Sequence, residues 1–225
     1  MPKEFSLIDF IDRADEACFY RRSEETSAAD LENIMALQGK PGAYAGMFAL
    51  PAVDAARPFR TFTGELITSN AARKHIIGEE TIRILSRIDD AAVRNVVAEA
   101  EANMLQRLYE THPESNPGFY CCGTCTCALW RNLAIGRFDR REERLAAGLK
   151  GLRDCRDGAG RWGRFPFYYT LLALSEIELT EAREELVYAL PAIARISAHR
   201  QSDLLFSERR YELRNRILYS IRLKI

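Results

Sequence analysis

Four cysteines crowd into seven residues at Cys121, Cys122, Cys125 and Cys127, and Cys155 follows one helix later. On a helix, Cys121 and Cys125, or Cys122 and Cys125, share a face. With Cys155 they have the donor chemistry for zinc or an iron–sulfur cluster. The same thiols suit redox chemistry, or serve as small apolar side chains where helices pack closely, as Gly123 and Ala128 do beside them. No metal site is assigned, and the weak candidates are Cys121, Cys125 and Cys155. Packing leads over metal and redox, because no second C-x-x-C stands at zinc-ribbon spacing. A second pair, His75 and Glu79, lies one helical turn apart. Such a pair can hold a metal or set up a general base, but a surface hydrogen bond is its commoner use.

Aromatic residues form the third group: Phe119, Tyr120, Trp130, Trp162, Phe165, Phe167, Tyr168 and Tyr169. Their faces suit a long apolar ligand or a cationic intermediate, and equally suit an ordinary core. The ligand-binding candidates are Tyr120, Trp130, Trp162, Tyr168 and Tyr169. No catalytic residue and no cofactor is assigned. The phosphate-cradling G-x-x-x-x-G-K-[ST], the dinucleotide G-x-G-x-x-G and the nucleophile elbow G-x-S-x-G are all missing.

The elements that must position these groups read as helices. Ser6 to Arg21 is amphipathic, and Ser27 to Leu37 is a weaker helix. The next twenty or so residues carry Gly39, Pro41, Gly42, Gly46, Pro51 and Pro58, which predicts an irregular excursion. A helix capped by Ser69 or Asn70 follows, and another begins at Asp89 or Asp90 and runs to about Thr111. His112 to Gly118 ends it. Beyond this, the segment from Cys121 is small and apolar all round, so a helix there is buried on every side. Leu145, Leu149 and Leu152 mark an amphipathic helix. Residues from Phe167 are again apolar throughout, and Thr180 caps a last amphipathic helix that Pro191 bends or breaks. Buried and surface helices thus alternate, and an offset of 44 residues maps Cys125 on Tyr169, Leu133 on Ile177, Leu149 on Ile193 and Leu152 on Ile196.

Within this pattern, Leu149, Leu152, Asp157, Gly158, Gly160, Trp162, Tyr168, Tyr169, Thr170, Leu172, Ala173 and Leu174 resemble the repeat of the α/α-toroid proteins. These are the terpenoid cyclases and the β subunits of protein prenyltransferases. The resemblance covers roughly residues 119–198. It implies an outer helix, an Asp-Gly turn with an aromatic, and a Tyr-rich inner helix. In the turn, Asp157 is expected to bond backbone N–H groups, Gly158 and Gly160 to adopt positive φ, and Trp162 to stack over the helix end. The cyclases' D-x-D-D acid motif does not occur, and the prenyltransferase zinc triad of Asp, Cys and His has no full match. The resemblance therefore implies fold rather than a catalytic set.

Composition sets the remaining bounds. In 225 residues, 32 Lys and Arg balance 32 Asp and Glu, which gives no overall field for nucleic acid. From Arg195 onward the balance is basic, with Arg200, Arg209, Arg210, Arg214, Arg216, Arg222 and Lys224 against Asp203, Glu208 and Glu212. A solvated helix face is the simpler reading, and an acidic partner the alternative. Asp9, Asp12 and Asp15 interrupt any secretory h-region, and no apolar run suggests a membrane span. A cytoplasmic location with reduced thiols is expected.

The reading is thus an all-α fold of helical hairpins, forming an α/α toroid or a partial one. It is a single domain, with a helical extension and irregular loop over 1–60 and a hairpin core over 61–225. The expected function is binding of an apolar or isoprenoid-type ligand in a central aromatic-lined cavity. The alternative is a non-catalytic scaffold for protein–protein interaction, and a homo-oligomer stays open.

Overall fold

The computed structural model describes residues 4–23, 26–111, 118–135, 138–196 and 204–222. The fold is all-α: ten α-helices and one two-stranded sheet of two-residue strands are described. None of the described helices is long and apolar enough to cross a membrane. The described residues form two compact units. One draws on 4–23, 26–59, 66–111, 135 and 138, the other on 60–65, 118–134, 139–196 and 204–222.

In the first unit, α1 (Leu7–Phe19) starts at Ser6, whose hydroxyl accepts from the Asp9 N–H. The weaker α2 (Ala28–Met35) starts at Ser27 in the same way and buries only Ile34. The breaker-rich stretch that follows forms no α-helix, only 3-10 turns at Tyr44–Gly46 and Ala52–Asp54. It is nevertheless tied down. The fully buried Asp54 accepts from the N–H groups of Leu7 and Ile8 at 2.7 and 3.1 Å, so the excursion caps the first helix. Helix α3 (Asn70–Leu85), capped by Ser69, is buried from His75 to Leu85 and packs against α1. Its Arg83 reaches both Glu80 and Asp15, so each of these buried carboxylates has a partner. Helix α4 (Ala91–Thr111) begins where Asp90 accepts from the Val93 N–H at 3.0 Å. The stop expected at His112 to Gly118 lies outside the described residues except for Gly118.

A short hairpin of β1 (Phe59–Arg60) and β2 (Leu66–Ile67) carries residues 61–65 at its tip, and residues 60–65 belong to the second unit. There α5 (Gly123–Ile135) is buried nearly all round, α6 (Arg141–Asp154) is amphipathic, and α7 (Phe167–Glu176) is buried again. Helix α8 (Thr180–Tyr188) packs on α6 and α7, and α10 (Leu204–Arg222) packs on α7 and α8. The alternation of buried and surface helices is therefore real.

Two local expectations need correcting. Thr180 is not a cap: it is the first helical residue of α8, the cap position is Leu179, and no side chain bonds there. The 44-residue offset holds for the inner helices, which start at Gly123 and Phe167, but not for the outer ones, which start at Arg141 and Thr180. The cause is that α7 is shorter than α5, and the link from α7 to α8 is shorter than the one from α5 to α6. Beyond α8, Pro191 lies in the first turn of the four-residue α9 (Leu190–Ile193), so Leu149 and Leu152 within α6 have no continuous counterpart.

Candidate functional site

The Asp157 turn after α6 forms as its sequence demands. Asp157 Oδ1 accepts from the N–H groups of Ala159 and Arg161 at 2.8 and 3.0 Å, and Gly158 and Gly160 take φ of 78° and 84°. The two backbone bonds, and then the Tyr188 hydroxyl, hold the Asp157 carboxyl below the usual carboxylate range. Trp162 is buried against Phe167 and Tyr188, and its indole donates to Glu185 at 2.9 Å. Glu185 is itself fully buried, and Arg156 also binds it through both carboxylate oxygens. A buried carboxylate in that position must be paired, and these donors pair it. Glu185 is not among the residues that type and spacing single out. Its signal was weak: a Glu one turn before Ala189 on the face of α8 that also buries Ala182.

The nominated aromatics separate into groups. Trp130 is wholly buried, stacks on Phe165 at 5.7 Å, meets Phe119 edge-on, and donates to the Gly118 carbonyl at 2.6 Å. Tyr120 is buried just before α5, where its N–H donates to the Thr126 hydroxyl. Tyr169 is buried in α7, with the Arg131 guanidinium over its ring and its N–H donating to Glu65 at 3.1 Å. These are core positions. Tyr168 differs: it is half-buried and lines a cavity of about 420 Å³ in the second unit.

That cavity gathers three arginines, Arg161, Arg195 and Arg210, beside the apolar Ala192 and Ile196. Each guanidinium is braced. Arg210 donates to the Thr63 carbonyl at 2.7 Å and lies over the Tyr168 ring at 4.3 Å. Arg195 donates to the Pro191 carbonyl at 3.0 Å, and Arg161 lies over Phe167 at 4.4 Å. Among the described residues the lining holds no carboxylate, and none of the three forms an ion pair. Gathering like charges is unfavourable unless an anion joins them. The basic tail thus has a concave part. Its Arg200, Asp203 and Lys224 lie outside the described residues, and Arg209 is buried over Phe62 rather than solvated.

The cysteines do not share one environment. Cys127 is buried beside Thr170, and burial pushes its thiol up to about 12. Cys155 ends α6, in the Asp157 turn. Cys121 and Cys122 are exposed, Cys125 is buried, and the three thiols lie within hydrogen-bonding reach of one another at the start of α5. The packing role therefore suits Cys125 and Cys127 and not the two exposed residues. His75 and Glu79 do meet, at 3.0 Å, yet both are buried within α3 with Tyr44 stacked on the imidazole, so the surface pairing expected of them is overturned. Tertiary packing against α3, invisible in an i, i+4 spacing, is the cause.

No family model matches the chain, and neither a curated protein nor a solved structure does.

Proposed function

We propose that the second unit binds a small anionic ligand at the cavity walled by Tyr168. The observation that carries this reading is the convergence of Arg161, Arg195 and Arg210 on one recess without a lining carboxylate among the described residues. Guanidinium forks match phosphate and carboxylate groups through paired hydrogen bonds. The Tyr168, Ala192 and Ile196 surfaces suit a short apolar portion beside the charged head. An isoprenoid-type ligand enters this reading through a diphosphate head. The cavity volume is within the range of small-molecule sites. The toroid-type arrangement belongs to the same proposal, supported by the alternation of buried and surface helices and by the 44-residue offset between the starts of α5 and α7.

A second reading, a non-catalytic helical scaffold, is favoured by the core packing of Tyr120, Trp130, Trp162 and Tyr169. Calorimetric titration with inorganic pyrophosphate and with a short prenyl diphosphate separates the two. Ligand binding predicts saturable heat with both, weakened about tenfold or more when Arg161 and Arg195 are both replaced by Gln. It also predicts tighter binding of the prenyl compound. Absence of binding, or affinity untouched by the double substitution, would remove the ligand reading and leave the scaffold.

A further inference from the structure

The three-thiol cluster at the start of α5 is unused by the cavity reading, and its geometry is unlike that of packing cysteines. Cys122 immediately precedes the first helical residue. Its carbonyl accepts the first helical bond from Thr126 at 2.9 Å. Its sulfur accepts from the Cys125 N–H at 3.5 Å, the bond a Ser or Asp side chain makes at an N-cap. The sulfur thus sits where unpaired N–H groups and the helix dipole favour negative charge. Cys125, one turn in, is buried under it.

The spacer between them is also specific. A Cβ on Gly123 would stand 2.2 Å from the Arg164 carbonyl oxygen and 2.8 Å from the Phe165 Cα. Only glycine lets the 164–165 backbone pass that close to the C-x-x-C turn. The cluster is thereby held against a wall on one side and open at Cys121 and Cys122.

We propose that Cys122 and Cys125 form a thiol–disulfide exchange centre, with Cys122 as the attacking sulfur and Cys125 as the resolving one. The substrate class is a disulfide, either a low-mass disulfide such as that of glutathione or an exposed disulfide of a peptide. In the first step the Cys122 thiolate attacks one substrate sulfur. The substrate S–S bond breaks, a mixed disulfide forms, and the departing thiolate takes a proton from solvent. In the second step Cys125 gives up its proton and attacks the Cys122 sulfur, which releases the second substrate thiol. The net reaction turns two protein thiols and one substrate disulfide into one protein disulfide and two substrate thiols, a transfer of two electrons.

The electrostatics agree with the division of labour. Hydrogen bonds from Cys121 and then Cys125, with the backbone N–H groups of Cys125 and Thr124, hold the Cys122 thiol well below its ordinary value. The hydrogen bonds to Cys121 and Cys122, with burial, push Cys125 up. An exposed thiolate above a buried, protonated partner is the arrangement exchange requires. Cys121 donates to Cys122 and stabilises its anion, so it acts as a positioning residue.

The full-length protein is equilibrated across reduced and oxidised glutathione buffers, quenched by alkylation and weighed intact, with peptide mapping of the disulfide. The expected result is a two-electron transition with a Cys122–Cys125 bond. Cys121→Ser keeps that transition with a shifted midpoint, while Cys122→Ser and Cys125→Ser abolish it. A Ser at position 122 still caps the helix, so circular dichroism should show that this variant folds. A second readout is limited alkylation of the reduced protein at pH 6, expected to label Cys122 before any other thiol. Several results would overturn the proposal: a Cys121–Cys122 or Cys121–Cys125 bond instead, a transition that survives Cys122→Ser, preferential labelling elsewhere, or a metal ion retained on these thiols in native mass spectrometry of the purified protein.

Discussion

Carboxylates far away in sequence accept from N–H groups in the first turn of helices that local side chains leave unpaired. Helix α7 begins after Pro166, which has no side-chain acceptor, and Glu65 supplies one to the Tyr169 N–H from the hairpin tip. Asp54 does the same for α1. Such placements satisfy orphan N–H groups and complement the helix dipole. Asp157 is the local version, and its carboxyl is held low by the Ala159 and Arg161 N–H groups and by Tyr188. A depressed folded-state value means that the charged form stabilises the native state. That contribution is complete above the ordinary Asp range and is lost as pH falls through it toward the lower folded value. Thermal melts from pH 7 to pH 3 should therefore show a smaller acid-side loss for Asp157→Asn than for the natural chain, with the variant less stable at neutral pH. Identical pH profiles would show that the turn carboxylate contributes nothing.

At the scale of elements, the second unit is clamped where α6, the turn and α8 meet on Glu185. The carboxylate is fully buried, and its donors come from Arg156 and the Trp162 indole. Removing one partner from a buried ionic network leaves the others uncompensated, whereas an apolar replacement of all members costs far less. Glu185→Ala should cost about 3 kcal/mol in chemical denaturation, at the low end for a buried pair because Arg156 retains some water contact. Glu185→Gln should cost less, since the amide oxygen still accepts from the indole. Equal losses for the two variants would mean that side-chain volume, rather than the hydrogen bonds, holds the turn.

For the whole molecule, the cavity arginines have a thermodynamic consequence that any fold-wide probe can read. A ligand that binds only the native state adds stability with its concentration, about 2.7 kcal/mol at a hundred times its Kd. Pyrophosphate should therefore raise the melting temperature progressively, and added salt should diminish the effect because the charges are solvent-accessible. The Arg161→Gln/Arg195→Gln variant should need about ten times more pyrophosphate, or still more, for the same rise. A shift of equal size in that variant would place the anion elsewhere on the protein.

The sequence by itself determined what local chemistry can determine. Periodicity located the helices from α1 to α8 but assigned none to the nineteen residues of α10; Ser6, Ser27, Ser69 and Asp90 started four of them, Pro191 broke one, and Asp157 with its glycines built the turn. In each case the decisive interactions span a few residues, so composition and spacing suffice. Tertiary structure decided what the side chains do. Tyr168 faces a cavity while the adjacent Tyr169 is core, and an apolar-all-round helix gives no face by which to tell them apart. Glu65 and Tyr169 stand 104 positions apart, and Arg210 reaches back 147 positions to Thr63. Whether a cysteine in the 121–127 run is exposed or buried follows from where α5 starts and from what Gly123 lets approach it. Partners so distant are chosen by packing of the whole unit, because burial makes each unpaired polar group too costly to leave, and no window along the chain contains that constraint.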